Sequence, residues 1–543
     1  MKPLSSLLAS VALATTALPS CTDDSSDLYD GEAVKSEDGK ADASALAVFV
    51  DFEFSGKLVT NYSFNSQQTI ESQLLYTVGQ LNGAVAVGRI DSAVLSNIQR
   101  TYLPGGKLQI SYNAKLPVAW GRRASVPATF DLKLPLDVSS VGKTAFANKY
   151  WAKCVDFTAH GLDAGAMFYH FRPQNTGCVL DAADIVTTTA TVTPSPVQTT
   201  GKFPEYDKVW EDGVFNVVAM FGKYNDGALA NDPGITAYDE FVRQVKLELA
   251  ELPTTTIPAS IPTGPGVAYP DLEFNATLPD GKKLRIVAML TDDVSTGLMQ
   301  PEFRARYNAL SSRADLIAYN GHAGLGSHVQ ALAKAGAWVT GQYVVVYMNG
   351  CDTFAYIDDA LFTAHKQINS DDTTGYKYID IVNNAMPADF ASMPQATMAM
   401  IRGLLDFNAP RTYEQLFNNI DRVQIALVVG EQDNLYTPGP SGPVEAWDGV
   451  NVHEAIAKNQ EKRWSTPIIE AGRYQFAMTG TNDADLYVRV GSEPTLAKFD
   501  CRPYKVGSNE TCEINLARPG KIFVMARGYS PLGSGIDLIG KKL

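Results

Sequence analysis

Near the middle of the chain two runs, DLIAYNGH and YVVVYMNGC, are apolar at almost every position, so neither can turn one face to water. Strands of this kind are buried on both sides, which points to a mainly parallel sheet with helices packed above and below it. The sequence from about residue 214 fits that plan. A strand FNVVAMFG precedes a helix around 238–252, and LEFNATL and LRIVAML, split by Pro279-Asp280-Gly281, form a hairpin. There follow a helix PEFRARYNALSS, a helix beginning near Ser327, a helix through 356–365, a strand YKYIDIVNNA, two more helices and a last strand VQIALVVGE. Ligands in such sheets sit at the carboxyl ends of the strands. The first apolar run closes at His322 and the second, one helix and one strand later, at Cys351.

The flanking sequence has a different period. Residues 47–198 mostly alternate, as in VFVDFEFSGKL and KLQISYNAKLPV, and read as an antiparallel β domain closed by the linker TVTPSPVQTTGKFP. Alternation returns in GRYQFAMTG, DADLYVRVG and GKIFVMARG, which makes 466–543 a small β sandwich. The middle domain is then 199–455. A chain of 543 residues, 45% hydrophobic and 19% charged, suits several globular domains rather than one core. Its net charge of −14 argues against nucleic acid as a partner, because phosphate binding needs clustered Lys and Arg.

Lys2 followed by the apolar stretch 4–18 has the form of a secretory signal, taken as 1–21. Leu18-Pro19-Ser20-Cys21 resembles a bacterial lipobox, which implies a lipid on Cys21; cleavage by the ordinary signal peptidase is the alternative. The expectation is an exported protein, either secreted or an outer-membrane or cell-surface lipoprotein that touches a membrane only through that anchor. Residues 22–46 are acidic and Ser-rich, a disordered tether. In an exported chain cysteines pair. Cys154 and Cys178 bracket one loop-rich segment and Cys501 and Cys512 another, so two local disulfides are the economical assignment, though other pairings remain open. Each would add about 2–4 kcal/mol. Cys351 is left over, as a reactive thiol or as an inert buried one.

A thiol attacks a carbonyl as thiolate, with an imidazole to take its proton and backbone N–H groups to hold the oxyanion. His322 and Cys351 supply the first two parts, the following helix adds a favourable dipole, and Gly350 and Gly324 allow close backbone approach. Asp352, Asp292 and Asp293 are candidates to orient His322 or to line a pocket for a basic side chain, against a plainer role as helix caps or solvated carboxylates. His328, His365 and His453 fall on predicted helices as surface residues, and His160 and His170 are structural, lacking metal-type spacing. There is no H-E-x-x-H, G-x-S-x-G or phosphate-loop motif.

A histidine closing one apolar strand and a cysteine closing the next resemble the caspase-like clan of cysteine peptidases, including caspases, legumain, clostripain and gingipains. Asn349-Gly350 beside the thiol and a late strand ending in Gly430-Glu431 resemble the gingipain branch. The likeness covers roughly 214–450. It implies a caspase-like α/β domain and a Cys351–His322 dyad that hydrolyses peptide bonds without a cofactor or metal. It also implies an oxyanion hole from the backbone of Cys351, Ala323 and Gly324. The run from DADLYVRVG to ARGYS resembles the bacterial pre-peptidase C-terminal domain, which accompanies secreted peptidases and is often removed on maturation. Asp483 and Asp485 are its candidate calcium ligands, solvent-facing turn carboxylates being the commoner case. Together these readings describe a secreted or surface-anchored cysteine endopeptidase acting on proteins or peptides, its oligomeric state open. The alternative is an inactive caspase-like lipoprotein used for binding or adhesion.

Overall fold

Alternate side chains of the apolar runs go to opposite sides: Ile317 and Tyr319 join one buried cluster, Leu316 and Ala318 a second. The sheet they build has nine strands, β1 (Ala43–Ser44), β2 (Val214–Gly222), β3 (Thr254–Ile257), β4 (Asp271–Thr277), β5 (Lys283–Thr291), β6 (Leu316–Asn320), β7 (Val344–Asn349), β8 (Ile379–Asn384) and β9 (Ala426–Val429). Their order is β1-β9-β8-β7-β6-β2-β5-β4-β3. Only β5, β2, β6, β7 and β8 are mutually parallel; β9, β1, β4 and β3 run antiparallel to their neighbours, so the sheet is mixed rather than purely parallel. The parallel strands stand second, first, third, fourth, fifth, and the order reverses between β2 and β6, the position where open α/β sheets leave a crevice.

The computed structural model describes residues 42–543 except 62–64, 158, 160–162, 408, 435, 439–443, 492, 497–498 and 517–518. The signal and lipid expectations, Cys21 included, therefore lie outside the described residues. The segment expected to be tether ends sooner than 46, because Asp42, Ala43 and Ser44 are buried and Ala43–Ser44 pairs with β9.

The N-terminal sheet is antiparallel, in the order Ala86–Gly88, Lys107–Trp120, Val48–Asn61, Ile185–Pro194, Thr129–Pro135, with Val94–Leu103 also on Lys107–Trp120. Helices Ser66–Leu74 and Tyr76–Asn82 belong to it as well, which an all-strand reading did not anticipate. Their signal is in the chain: Ile70, Leu74, Val78 and Leu81 are buried at helical spacing, and the Asn65 side chain caps the first turn by accepting from the Gln68 N–H at 3.1 Å. This region shares its core with the central sheet. One cluster runs from Phe49, Val87 and Ile90 into Phe354, Tyr356 and Ile357, just past β7, and the Phe49 and Phe354 rings lie 6.0 Å apart.

The C-terminal sandwich packs a four-stranded sheet (Val450–Ile456, Ser534–Lys542, Gly472–Gly480, Glu510–Leu516) on a three-stranded one (Glu461–Ser465, Ile522–Gly528, Ala484–Val490) around its own core. It begins earlier than expected, because Val450–Ile456 pairs along Ser534–Lys542. Disulfides join Cys154 to Cys178 and Cys501 to Cys512. Among the described residues no helix is long and apolar enough to cross a membrane.

Candidate functional site

Register brings the two candidate residues to the same level. Asn320 of β6 and Asn349 of β7 are partners in the parallel ladder, and His322 and Cys351 each stand two residues beyond. The row behind them is a buried amide network. The Asn349 amide donates to Asn320 Oδ1 at 2.8 Å, and Asn349 Oδ1 accepts from Asn384 at 3.0 Å and from Gln424 at 2.7 Å. Thr397 adds a bond to Asn320 at 2.8 Å. Satisfied polar networks of this kind fix one arrangement, since any shift would strand a buried donor. In front of the row the two loops touch through backbone. A Cβ at Gly350 would lie 2.7 Å from the Gly321 carbonyl oxygen and 3.3 Å from the Ala323 nitrogen, so only glycine lets them meet.

The His322 ring packs between Tyr224 and Phe390, with centroids at 4.9 and 5.0 Å. Its Nε2 is 3.1 Å from the Tyr224 backbone oxygen, just past β2. A carbonyl only accepts, so Nε2 carries the proton and Nδ1 is the basic nitrogen of the neutral ring. The loop holding Phe390 also holds the thiol: Cys351 Sγ donates to the Ala388 carbonyl at 3.6 Å. Cys351 is half-buried and, among the described residues, the one cysteine outside a disulfide. Burial, then the charge of Asp352, pushes its thiol up to about 11. At neutral pH it is a thiol whose proton must be taken by a base. Among the described residues none accepts a hydrogen bond from the backbone N–H of Ala323, Gly324 or Cys351.

Of the three carboxylates, Asp293 takes the plainer capping role that the sequence allowed, and Asp352 does not. Asp292 pairs with Lys223 at 2.6 Å, and Asp293 caps the helix Val294–Met299 while lying 3.4 Å from His328. Asp352 is neither solvated nor a side-chain cap. It is fully buried, in the left-handed region at φ 51°, and accepts from Asn82 and, at 2.8 Å, from the Tyr169 hydroxyl. The surface assignment of the histidines also fails for two. His328 is largely buried, its Nδ1 donating to the His322 carbonyl at 2.8 Å. His365 is fully buried against Trp338, and burial lowers it to about 4. His453 is exposed but on a strand, beside Asp537 at 2.7 Å. His170 packs edge-on to Tyr169, and His160 lies outside the described residues. Glu431 is buried at the opposite end of the sheet from Cys351, because β9 runs against β8.

Tyr224 and Asn320 are among the residues of the site that escaped the sequence reading. Tyr224 orients His322 through a backbone oxygen, which leaves no trace in residue type. Asn320 could have been found, since Asn320-Gly321-His322 repeats the pattern of Asn349-Gly350-Cys351. In the tail, Asp485 already faces a cation, Arg502, at 2.7 Å, and Asp483 accepts from the Gly507 N–H at 2.8 Å. Among the described residues no three His, Cys, Asp or Glu side chains converge as metal ligands.

The chain is 38% identical over 104 residues to alkaline serine exoprotease A of Vibrio alginolyticus, 19% of each chain. It is 28% identical over 166 residues to a zinc metalloprotease of Helicobacter pylori, 30% of this chain and 61% of that one. The solved pre-peptidase C-terminal domain of collagenase from Bacillus anthracis aligns at 13% identity and TM-score 0.15, over 18% of this chain and 98% of that one. The chain spans less than two thirds of the length of the curated relatives it matches. Residues 468–528 match the family model of the bacterial pre-peptidase C-terminal domain, and this stretch of the sandwich is such a domain within a larger multidomain chain.

Proposed function

We propose that this chain is an exported cysteine endopeptidase of caspase-like type, with Cys351 as nucleophile and His322 as its acid–base partner. The observation that carries the reading is the shared level of the two residues past paired positions on adjacent parallel strands, beside the point where strand order reverses. As Sγ attacks the peptide carbonyl, its proton passes to Nδ1 of His322. The N–H groups of Cys351, Ala323 and Gly324 receive the oxyanion. His322 then protonates the leaving amine as the C–N bond breaks, leaving a thioester. Water attacks the thioester with His322 as base, releasing the acid and restoring the thiol.

The relatives named as proteases support a protein substrate, and one named as an extracellular protease supports export, but they do not support the chemistry, because one is named for serine and another for zinc. A lipid on Cys21 would hold the enzyme at a membrane surface. The second reading, an inactive scaffold that binds, draws on the thiol itself, pushed up to about 11 and donating to a backbone oxygen at rest. Hydrolysis of a peptide library separates the two. Cys351→Ala and His322→Ala each lower the rate by on the order of a thousandfold or more if the dyad acts, and an unchanged rate in Cys351→Ala removes the peptidase reading.

A further inference from the structure

The residue after the thiol is held from a region of the chain far away in sequence. Asp352 receives the Asn82 amide and the Tyr169 hydroxyl, both from the N-terminal β region. Arg172 holds these two donors in turn. Its Nη2 donates to Asn82 Oδ1 at 3.3 Å, and its Nη1 donates to the Gly79 and Tyr169 carbonyls at 2.7 and 3.0 Å. The Arg172 N–H donates to the Cys154 carbonyl at 2.8 Å, so the Cys154–Cys178 disulfide brackets the segment that carries the clamp. Arg172 and Asp352 are both buried, and Asp156 pairs with the guanidinium at 3.4 Å.

Resting on the dyad reading above, we infer that the N-terminal β region is a working part of the site, in which Asn82, Tyr169 and Arg172 are positioning residues that set Cys351 through Asp352. Asp352 is followed by the buried segment Thr353–Tyr356, so its left-handed turn fixes where the preceding thiol points. Breaking the clamp would leave a buried carboxylate short of donors, and that cost keeps the turn in one conformation.

The electrical consequences differ between members. The charged and titratable groups around Asp352 and Cys351 include Arg172, Tyr169, Tyr319, Tyr356 and Asp389. Asp352 itself is raised to about 7 by burial and is ionised wherever Cys351 titrates. Its charge opposes the thiolate, and the Tyr169 hydroxyl, by donating to Asp352, spreads that charge.

The test is the pH dependence of iodoacetamide alkylation of Cys351 in the full chain, followed by mass spectrometry. Asp352→Asn removes the negative neighbour, and the midpoint falls by about one pH unit, a roughly tenfold faster reaction at pH 8. Tyr169→Phe removes a donor from Asp352, whose charge then bears more fully on the thiolate, so the midpoint rises and the reaction at pH 8 slows. Loosened packing alone would expose the thiol and speed both, so opposite shifts are the signature. Unmoved midpoints, or acceleration in both variants, overturn the inference. Alkylation needs no turnover, so a failure of the peptidase reading, seen as unchanged hydrolysis in Cys351→Ala, is distinguishable from a failure of the clamp.

Discussion

The two β regions at the ends of this chain look alike in sequence, each alternating and each closed by one disulfide, yet they relate to the middle in opposite ways. The C-terminal sandwich keeps its apolar side chains to itself: Ile456, Leu486, Val524 and Leu538 belong to a cluster that contains no residue of the central sheet. The N-terminal region has no such private core, since Phe49, Val87 and Ile90 sit in one cluster with Ile317, Val346 and Phe354. A module with its own core can be added or lost without disturbing its neighbour. A region that shares a core cannot.

The largest effect should come from cutting at each end. A chain lacking 446–543 stays soluble, with unchanged near-ultraviolet dichroism per aromatic of the remainder and unchanged Cys351 alkylation. A chain lacking 42–198 exposes Phe354, Ala355 and Ile357, and is recovered as aggregate. Equal losses from the two cuts would erase the contrast. Single substitutions sharpen it. Phe354→Ala lowers stability by about 3–5 kcal/mol in the transition that melts the N-terminal and central regions together. Leu486→Ala lowers only the sandwich transition, by about 2–5 kcal/mol, as followed by denaturant unfolding with a fluorescent and a proteolytic probe.

A pH experiment probes the shared interface more gently. Folding raises Asp352 from the ordinary carboxylate range to about 7, so between about pH 4 and 7 the folded chain holds a proton that the unfolded chain has lost. Its contribution is favourable below pH 4 and falls away as the pH rises to about 7. Asp352→Asn, neutral throughout, therefore loses less stability between pH 5 and 7.5 than the parent in urea titrations. The smallest effect belongs to the outward face of the sandwich. His453 and Asp537 form an exposed pair, and His453→Ala changes stability by less than about 1 kcal/mol.

The sequence was most legible where one physical demand acts on consecutive residues. Runs such as 316–319 and 344–348 must be apolar throughout because both faces are covered, and the level of His322 and Cys351 follows from strand ends alone. Local disulfides were readable for the same reason. What was hidden depends on partners distant in the chain. Nothing around Asp352 shows that Asn82 and Tyr169 will enclose it, and an aspartate beside a glycine-flanked turn is usually at the surface. His365 was misplaced because Trp338, which covers it, comes from a different element. In the N-terminal region the flanking alternation drew attention away from a helical period only about three turns long.

Two residues near the start of the described chain carry a duty out of proportion to their number. Ala43–Ser44 lies along β9, and Ser44 Oγ donates to the Ala426 carbonyl at 2.8 Å, closing the outer margin of the nine-stranded sheet. A protease that severed this segment, and let it drift away, would bare a row of unsatisfied amides and carbonyls on β9. Such a margin invites a strand from another molecule, so trimming at this point would leave the chain more prone to self-association.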